Sequence, residues 1–519
     1  METTQQDVQK TNRVHGRTRI WWLVGGLLLL SLLIIGGVWG LPRLLGRDNT
    51  ALAAMMPADT AVFLEIDALQ LANAETAQVR QQIAAALPLA AHADPTSSTA
   101  LLEAATNPLL SPVGLTFAED IQPWIGPNMS IALLPGNLLP GNLLPGDGEP
   151  VWLAAATIRN DSAADAFVQE LISASPALAA TRVDNVLLIA PDTAVIQAAI
   201  QAQEGANLAE SANYQQLLSE LPSQRAATLY LDVPQLAQWT ANMPETEAGI
   251  AQAIQGMLPN YTAVGLAAYA IANGIQVDGV GLHNGLTDAQ LAWLQAQTAV
   301  PQTDIYLPAD TVVYGRGQRL GLLWQQLRVH LSGLGYAPAD VAESAEILAN
   351  VLGYHPENDL LANLDGEFAI AETPGGTVLL AQGNAQANLP QRAEQTAVGL
   401  SLLGFTTEVG SNGVYRTDDF DDNPLLYFGV QDALLAVGTE DGVATVLQGV
   451  ERPLAQWPPY QQAIAALPAD SRLLFYLHGN PTDWADEPLL PDLPVTAVLG
   501  SHSTPETSFA TLIIHLPGE

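Results

Sequence analysis

Thr417 to Asn423 reads TDDFDDN and sets Asp419, Asp421 and Asn423 at the first, third and fifth places of a calcium-binding loop. Such a loop also needs a glycine for its sharp turn and a glutamate whose two oxygens complete the shell. Pro424 stands where the glycine belongs and Val430 where the glutamate belongs, so 417–423 reads as a solvated acidic loop, with weak divalent-cation binding as the alternative. Tyr314-Gly315-Arg316-Gly317, followed by Gly321, lies between a strand pattern and a helix pattern, where the phosphates of a dinucleotide would sit. Its spacing is G-x-G-x-x-x-G, which is not the dinucleotide fingerprint. The eight histidines occur singly, and neither H-E-x-x-H nor G-x-S-x-G appears, so no zinc site and no nucleophile elbow is indicated. Lys10 is the only lysine and there is no cysteine, which removes Schiff-base chemistry from everything after it and thiolate chemistry from the whole chain. The most distinctive stretch is Asp120-Ile-Gln-Pro123-Trp124-Ile-Gly126. Apart from the adjacent Glu119, its carboxylate has no acid, histidine or metal ligand near it in sequence, so no acid–base pair is identified and the stretch reads as structural. No catalytic, cofactor-binding or metal-binding residue is assigned.

The elements that would position a site begin with Ile20 to Leu41, which contains no charge and a single polar side chain, Ser31. At ~1.5 Å per residue a helix of about 20 apolar residues crosses a bilayer, and Trp21, Trp22 and Trp39 stand near the ends, where indole favours the interface. Residues 20–41 are therefore expected to be a transmembrane anchor. Residues 1–19 carry Lys10, Arg13, Arg17 and Arg19 against Arg43 and Arg47 beyond the anchor, which favours a cytoplasmic N-terminus and an extracytoplasmic body. A cleaved signal peptide is the competing reading, since Ala51, Ala53 and Ala54 offer a small-residue site. Gly36 and Gly40 form a G-x-x-x-G pair through which two anchors could approach as a homodimer.

The chain of 519 residues exceeds what one core can serve, so more than one folded unit is expected. Hydrophobic residues make up 48% and charged residues only 13%, which excludes disorder as the main state. The formal charge is −36, and the basic N-terminal region contributes about +4 of it, leaving the body near −40. Such a surface repels phosphate polyanions, so nucleic acid is not an expected partner.

After a spacer, 42–56, the phrase PADTAVFLEID at Pro57 joins a turn to a strand, and related phrases start at Leu221, Leu307 and Leu467. Pro57 matches Pro308 at a shift of 251, Asp120 matches Asp359 at 239, Gly126 matches Gly366 at 240, and Tyr214 matches Tyr460 at 246. Pro123 and Trp124 find no counterpart in the sister segment LLANLD. His283 and His515 close corresponding strands, shifted by 232. A duplication explains these pairs. The expected architecture is α+β: one N-terminal transmembrane helix, then two tandem, similar halves with largely antiparallel sheets, 57–286 and 307–519, joined by a linker helix within 287–306. Within a half the order is strand, helix-rich stretch, hairpin, helix, strand, helix, strand, helix, strand. Pro135 to Pro150 repeats GNLLP in tandem where the second half has TPGGT, and reads as a tolerant surface loop.

The anchor, PADTAVFLEID, FAEDIQPWIGPNMSIALLP (Phe117 to Pro135), VDNVLLIAPDTAVIQAAI (Val183 to Ile200) and YQQLLSELPSQRAATLYLDV together resemble a bacterial membrane-anchored family, domain-of-unknown-function family three-three-five-two. The resemblance implies a cell-envelope protein and carries over neither activity nor catalytic residues. The expected function is a non-enzymatic interaction or scaffold module of the envelope. A carrier of a lipid or other apolar ligand, and an unrecognised hydrolase, are the alternatives.

Overall fold

The computed structural model describes residues 51–67, 115–135, 151–175, 178–241, 261–271, 274–286, 288–297, 300–325, 338–421, 423–479 and 495–515. The segment 20–41, the Gly36 and Gly40 pair and the GNLLP repeats lie outside these residues. Among the described residues no helix is long and apolar enough to cross a membrane. The chain divides between Leu282 and His283 into two compact units.

The first unit runs β1 (Val62–Asp67), β2 (Ile125–Leu134), β3 (Val151–Ile158), α1 (Asp161–Ala174), β4 (Ala179–Val183), β5 (Val186–Ala190), α2 (Thr193–Glu204), α3 (Ala212–Glu220), β6 (Ala227–Asp232), α4 (Val233–Ala241), β7 (Tyr261–Ile271) and β8 (Gly274–His283). Its strands pair in the order β4-β5-β3-β2-β1-β6-β7, every pairing antiparallel. Local chemistry sets the boundaries. Asn160 and Asp192 cap α1 and α2, their side chains accepting the N–H groups of Ala163 at 3.3 Å and Ala194 at 2.6 Å. Asp184 takes φ of +52° in the two-residue turn between β4 and β5, a conformation that aspartate tolerates better than most side chains. Leu115, Trp124, Ala156, Ala164, Phe167, Leu171 and Leu187 form a buried cluster between α1 and the sheet.

The second unit runs α5 (Asp288–Ala296), β9 (Val313–Gln318), α6 (Pro338–Leu352), β10 (Glu367–Thr373), β11 (Gly376–Gln382), α7 (Leu389–Leu402), β12 (Thr406–Val409), β13 (Tyr415–Asp418), β14 (Pro424–Gln431), β15 (Leu434–Gly438), α8 (Glu440–Gln448), α9 (Pro458–Ala466), β16 (Leu473–Gly479), β17 (Val495–Ser503) and β18 (Thr507–His515). Its antiparallel order is β12-β13-β14-β15-β11-β10-β9-β16-β17-β18.

Removing the hairpin β12–β13 and the last strand, β18, leaves β14-β15-β11-β10-β9-β16-β17, which matches the order β4-β5-β3-β2-β1-β6-β7 of the first unit position for position. The register repeats too: Phe63 of β1 stands opposite Tyr230 of β6, and Tyr314 of β9 stands opposite Tyr476 of β16. Asp432 even repeats the φ of +52° that Asp184 adopts. The repeat is thus visible in the fold as well as in the phrases.

Three expectations need correction. Ala179–Val183, Tyr261–Ile271 and the hairpin β12–β13 are additional strands; AATRV and YRTD are too short for a period to stand out, and YTAVGLAAYAI is diluted by glycine and alanine, which are poor strand formers. Gly315 and Gly317 lie inside β9 rather than in a loop before a helix. A Cβ on Gly317 would fall 2.7 Å from Cζ of Phe368 on the adjacent strand, so the glycine makes room for a ring. Third, Trp124 does have a counterpart. Its Nε1 donates to the carbonyl of Asp120 at 2.7 Å, and Asn363 Nδ2 donates to the carbonyl of Asp359 at 3.1 Å, four residues on in both cases.

Candidate functional site

The buried charges of the second unit gather where β9 meets β10. Glu367 opposes Gln318, and its Oε2 accepts from Arg316 Nη1 at 3.0 Å, with the two side chains 0% and 1% exposed. The other oxygen, Oε1, accepts from the Thr303 N–H at 2.7 Å, the Thr303 hydroxyl at 2.5 Å and the Gln302 N–H at 3.0 Å. Tyr314 OH lies 3.0 Å from Thr303 Oγ1. Beside this network Tyr460 OH donates to Asp304 Oδ2 at 3.2 Å, and burial pushes the Asp304 carboxyl above its ordinary range. A carboxylate that accepts four close donors is charge-compensated, and one with no exposed oxygen cannot reach a substrate. This network is internal scaffolding.

The same place in the first unit is furnished differently. Glu65 occupies the position of Arg316, with Ser130 opposite it on β2 and Thr228 opposite it on β6. Glu65 is 3% exposed, and Asn128 Nδ2 donates to its Oε1 at 3.4 Å. Burial pushes the carboxyl up to about 8, against the smaller opposing effects of Asn128 and of the Arg225 charge. Tyr214, on α3, stands edge-on to Phe63 at 6.0 Å and to Tyr230 at 5.4 Å. Asp59 and Asp232 also lie above their ordinary range, mainly through burial.

An open recess of about 420 Å³ opens on the second unit. Its walls are the turn Pro308-Ala309-Asp310, the end of α8 at Thr445, and Glu451, Arg452 and Trp457. Backbone bonds hold the walls together, Ala309 N to Arg452 O at 2.9 Å and Leu454 N to Leu307 O at 2.7 Å. The Trp457 indole meets His478 edge-on at 4.6 Å, which fixes the aromatic wall.

The sequence candidates fall elsewhere. Asp419 Oδ1 accepts the N–H groups of Asp421 and Asn423, both at 2.9 Å, so this carboxylate closes the loop 417–423 upon itself. Arg416 pairs with Asp418 at 2.7 Å. Among the described residues no group of three His, Asp or Glu side chains could hold a metal ion. Asp120 Oδ2 accepts the N–H of Thr116 at 2.6 Å, and Asp359 Oδ2 accepts that of His355 at 2.7 Å, so both carboxylates cap a turn.

Sequence reading passed over Glu65, Arg316 and Glu367. A signal was present for Glu65, which alternates with the inward Phe63 in VFLEID and must share its face of the strand.

With that geometry in hand, the chain matches the family described as "Protein of unknown function (DUF3352)" over residues 22–182 and over 172–502. The chain belongs to DUF3352. Among curated proteins and solved structures nothing matches it. In this member of DUF3352 the repeated sheet is retained in both units, while the polar groups inside it have diverged.

Proposed function

We propose that this chain is a non-enzymatic interaction module, held at a bacterial membrane by residues 20–41 with its body outside. The observation that carries the proposal is the recess at Trp457. It is open, braced by backbone bonds, and offers an indole, the carboxyl groups of Asp310 and Glu451 and the guanidinium of Arg452 along one surface. Aromatic and arginine side chains on a rigid support are the groups that anchor protein contacts. The buried acids speak for the same reading, because Glu367 is spent on internal hydrogen bonds.

A photo-cross-linking residue placed at Thr445 in the full-length protein, in its native membrane, tests this. The expected result is a discrete protein adduct that is lost on Trp457→Ala and does not form from the exposed Glu204 of the first unit. Labelling of Thr445 no stronger than that of Glu204 would overturn the reading.

A further inference from the structure

The two units bury unlike polar groups at one position of one fold. In the second, Arg316 and Glu367 satisfy each other and their neighbours supply the remaining hydrogen bonds. In the first, Glu65 has neither a paired cation nor a full set of donors. Among the described residues it forms no ion pair within 4 Å, and its one hydrogen bond, from Asn128, is long at 3.4 Å. The hydroxyls of Ser130 and Tyr214 are buried beside it, the residues 7% and 1% exposed, and neither finds a hydrogen-bond partner among the described residues. Ser130 faces Glu65 directly across the β1–β2 ladder, and the Tyr214 hydroxyl is close enough to feel its charge.

An ionised carboxylate at this place would be a buried charge with one weak donor, whereas a protonated one is a neutral group that can also donate to a hydroxyl or to a small bound molecule. Two orphaned hydroxyls around a carboxyl are also what a bound water would satisfy. We propose that Glu65, Ser130 and Tyr214 form a proton- and water-binding site that locks the first unit, closed while the carboxyl carries its proton and loosened when the proton leaves.

The charged and titratable groups facing Glu65 come from each neighbouring element. They are Asp67 on β1, Arg225 just before β6, and Tyr214 on α3. Asp67 opposes ionisation and Arg225 favours it, and both act less strongly than burial. Because the folded carboxyl holds its proton up to about pH 8 while the unfolded one releases it near 4.5, the contribution to stability is fully present below 4.5 and lost as pH rises through 8. Asp59 and Asp232 share this direction and titrate in the same unit. The substitution Glu65→Gln, which keeps the shape and the neutral charge, isolates the part due to Glu65.

The test is amide hydrogen exchange on the full chain in detergent, followed by mass spectrometry and corrected for the intrinsic pH dependence of exchange. Local opening of β1, β2 and β6 is expected to increase by up to about tenfold per pH unit between roughly pH 6 and 8, the limit for release of one proton. β9, β10 and β16 serve as the internal reference. Glu65→Gln should flatten that rise. Tyr214→Phe, which removes one orphaned hydroxyl, should displace it along the pH axis. A flat wild-type profile would overturn the proposal whatever the variants do, as would a wild-type slope that survives in Glu65→Gln.

Discussion

Arg316 Nη1 donates to Glu367 Oε2 across adjacent strands at 3.0 Å, with both side chains out of solvent. The corresponding positions in the first unit, matched through strand register, are Glu65 and Asn128, joined at 3.4 Å. Duplication has kept the β-sheet while changing which member of the pair carries the acid. The sheet tolerates this because backbone ladders and the apolar side of each strand fix its order, whereas the interior polar pair need only be satisfied locally.

Breaking the pair from one side should therefore be severe. Arg316→Leu leaves Glu367 without its buried cation and is expected to cost the second unit about 3–5 kcal/mol. Replacing both residues by hydrophobic ones of similar volume should cost less than the sum of the single changes. Denaturant unfolding read by exchange in β9 and β10 measures each arm. Single substitutions that prove additive would show that the two side chains do not interact.

How much of this was legible in the sequence depended on the kind of signal. PADTAVFLEID and its relatives gave away the strand β1, the strand β9 and the repeat, because a proline-marked turn and an alternating apolar strand survive divergence. The Arg316–Glu367 pair was hidden for two reasons. Its partners lie 51 residues apart, and VYGRGQ presents its arginine between two glycines that suggest a loop. The glycines turn out to serve a ring, that of Phe368. Trp124 and Asn363 were hidden differently. They share one hydrogen bond to an aspartate carbonyl and have no chemical likeness that a comparison of letters could find.

That shared hydrogen bond predicts unequal penalties. Trp124 is 2% exposed and stacks on Phe167 at 5.1 Å, so Trp124→Ala should destabilise the first unit by roughly 3–5 kcal/mol. Asn363→Ala loses chiefly the hydrogen bond and should cost about 1 kcal/mol. Asp120→Asn keeps an oxygen to accept from Thr116 and should be nearly neutral. Thermal melts of the three variants decide the matter. An Asp120→Asn protein that melts normally yet loses its cross-linked partner would mark this turn as functional.

Gly317→Ala tests whether β9 needs its glycine for space. The added methyl would fall 2.7 and 2.9 Å from two atoms of the Phe368 ring, a contact the ring must yield to. Overpacking of this kind costs typically about 1–3 kcal/mol. Gly317→Ala combined with Phe368→Leu should recover part of the loss. A double variant no more stable than Gly317→Ala alone would assign the glycine to backbone conformation instead.

The second unit should weaken toward acid at His478. Burial lowers the pKa of this imidazole below its ordinary 6.5, its Nδ1 lies 2.8 Å from Thr496 Oγ1, and Trp457 closes over it edge-on. A depressed folded pKa means that the unfolded chain takes up the proton first. The stability due to neutral His478 is therefore present above 6.5 and is lost as pH falls from there toward the lower folded value. His515 is shifted in the same direction and adds to the effect. Because Trp457 also forms a wall of the recess, acid loosening of His478 should alter what the recess presents. His478→Asn, with an amide able to meet Thr496, is expected to reduce the loss of stability between pH 7 and 5, the range in which a histidine titrates. Tryptophan fluorescence and exchange in β16 report on it, and an acid response unchanged in His478→Asn would place the sensitivity at another group.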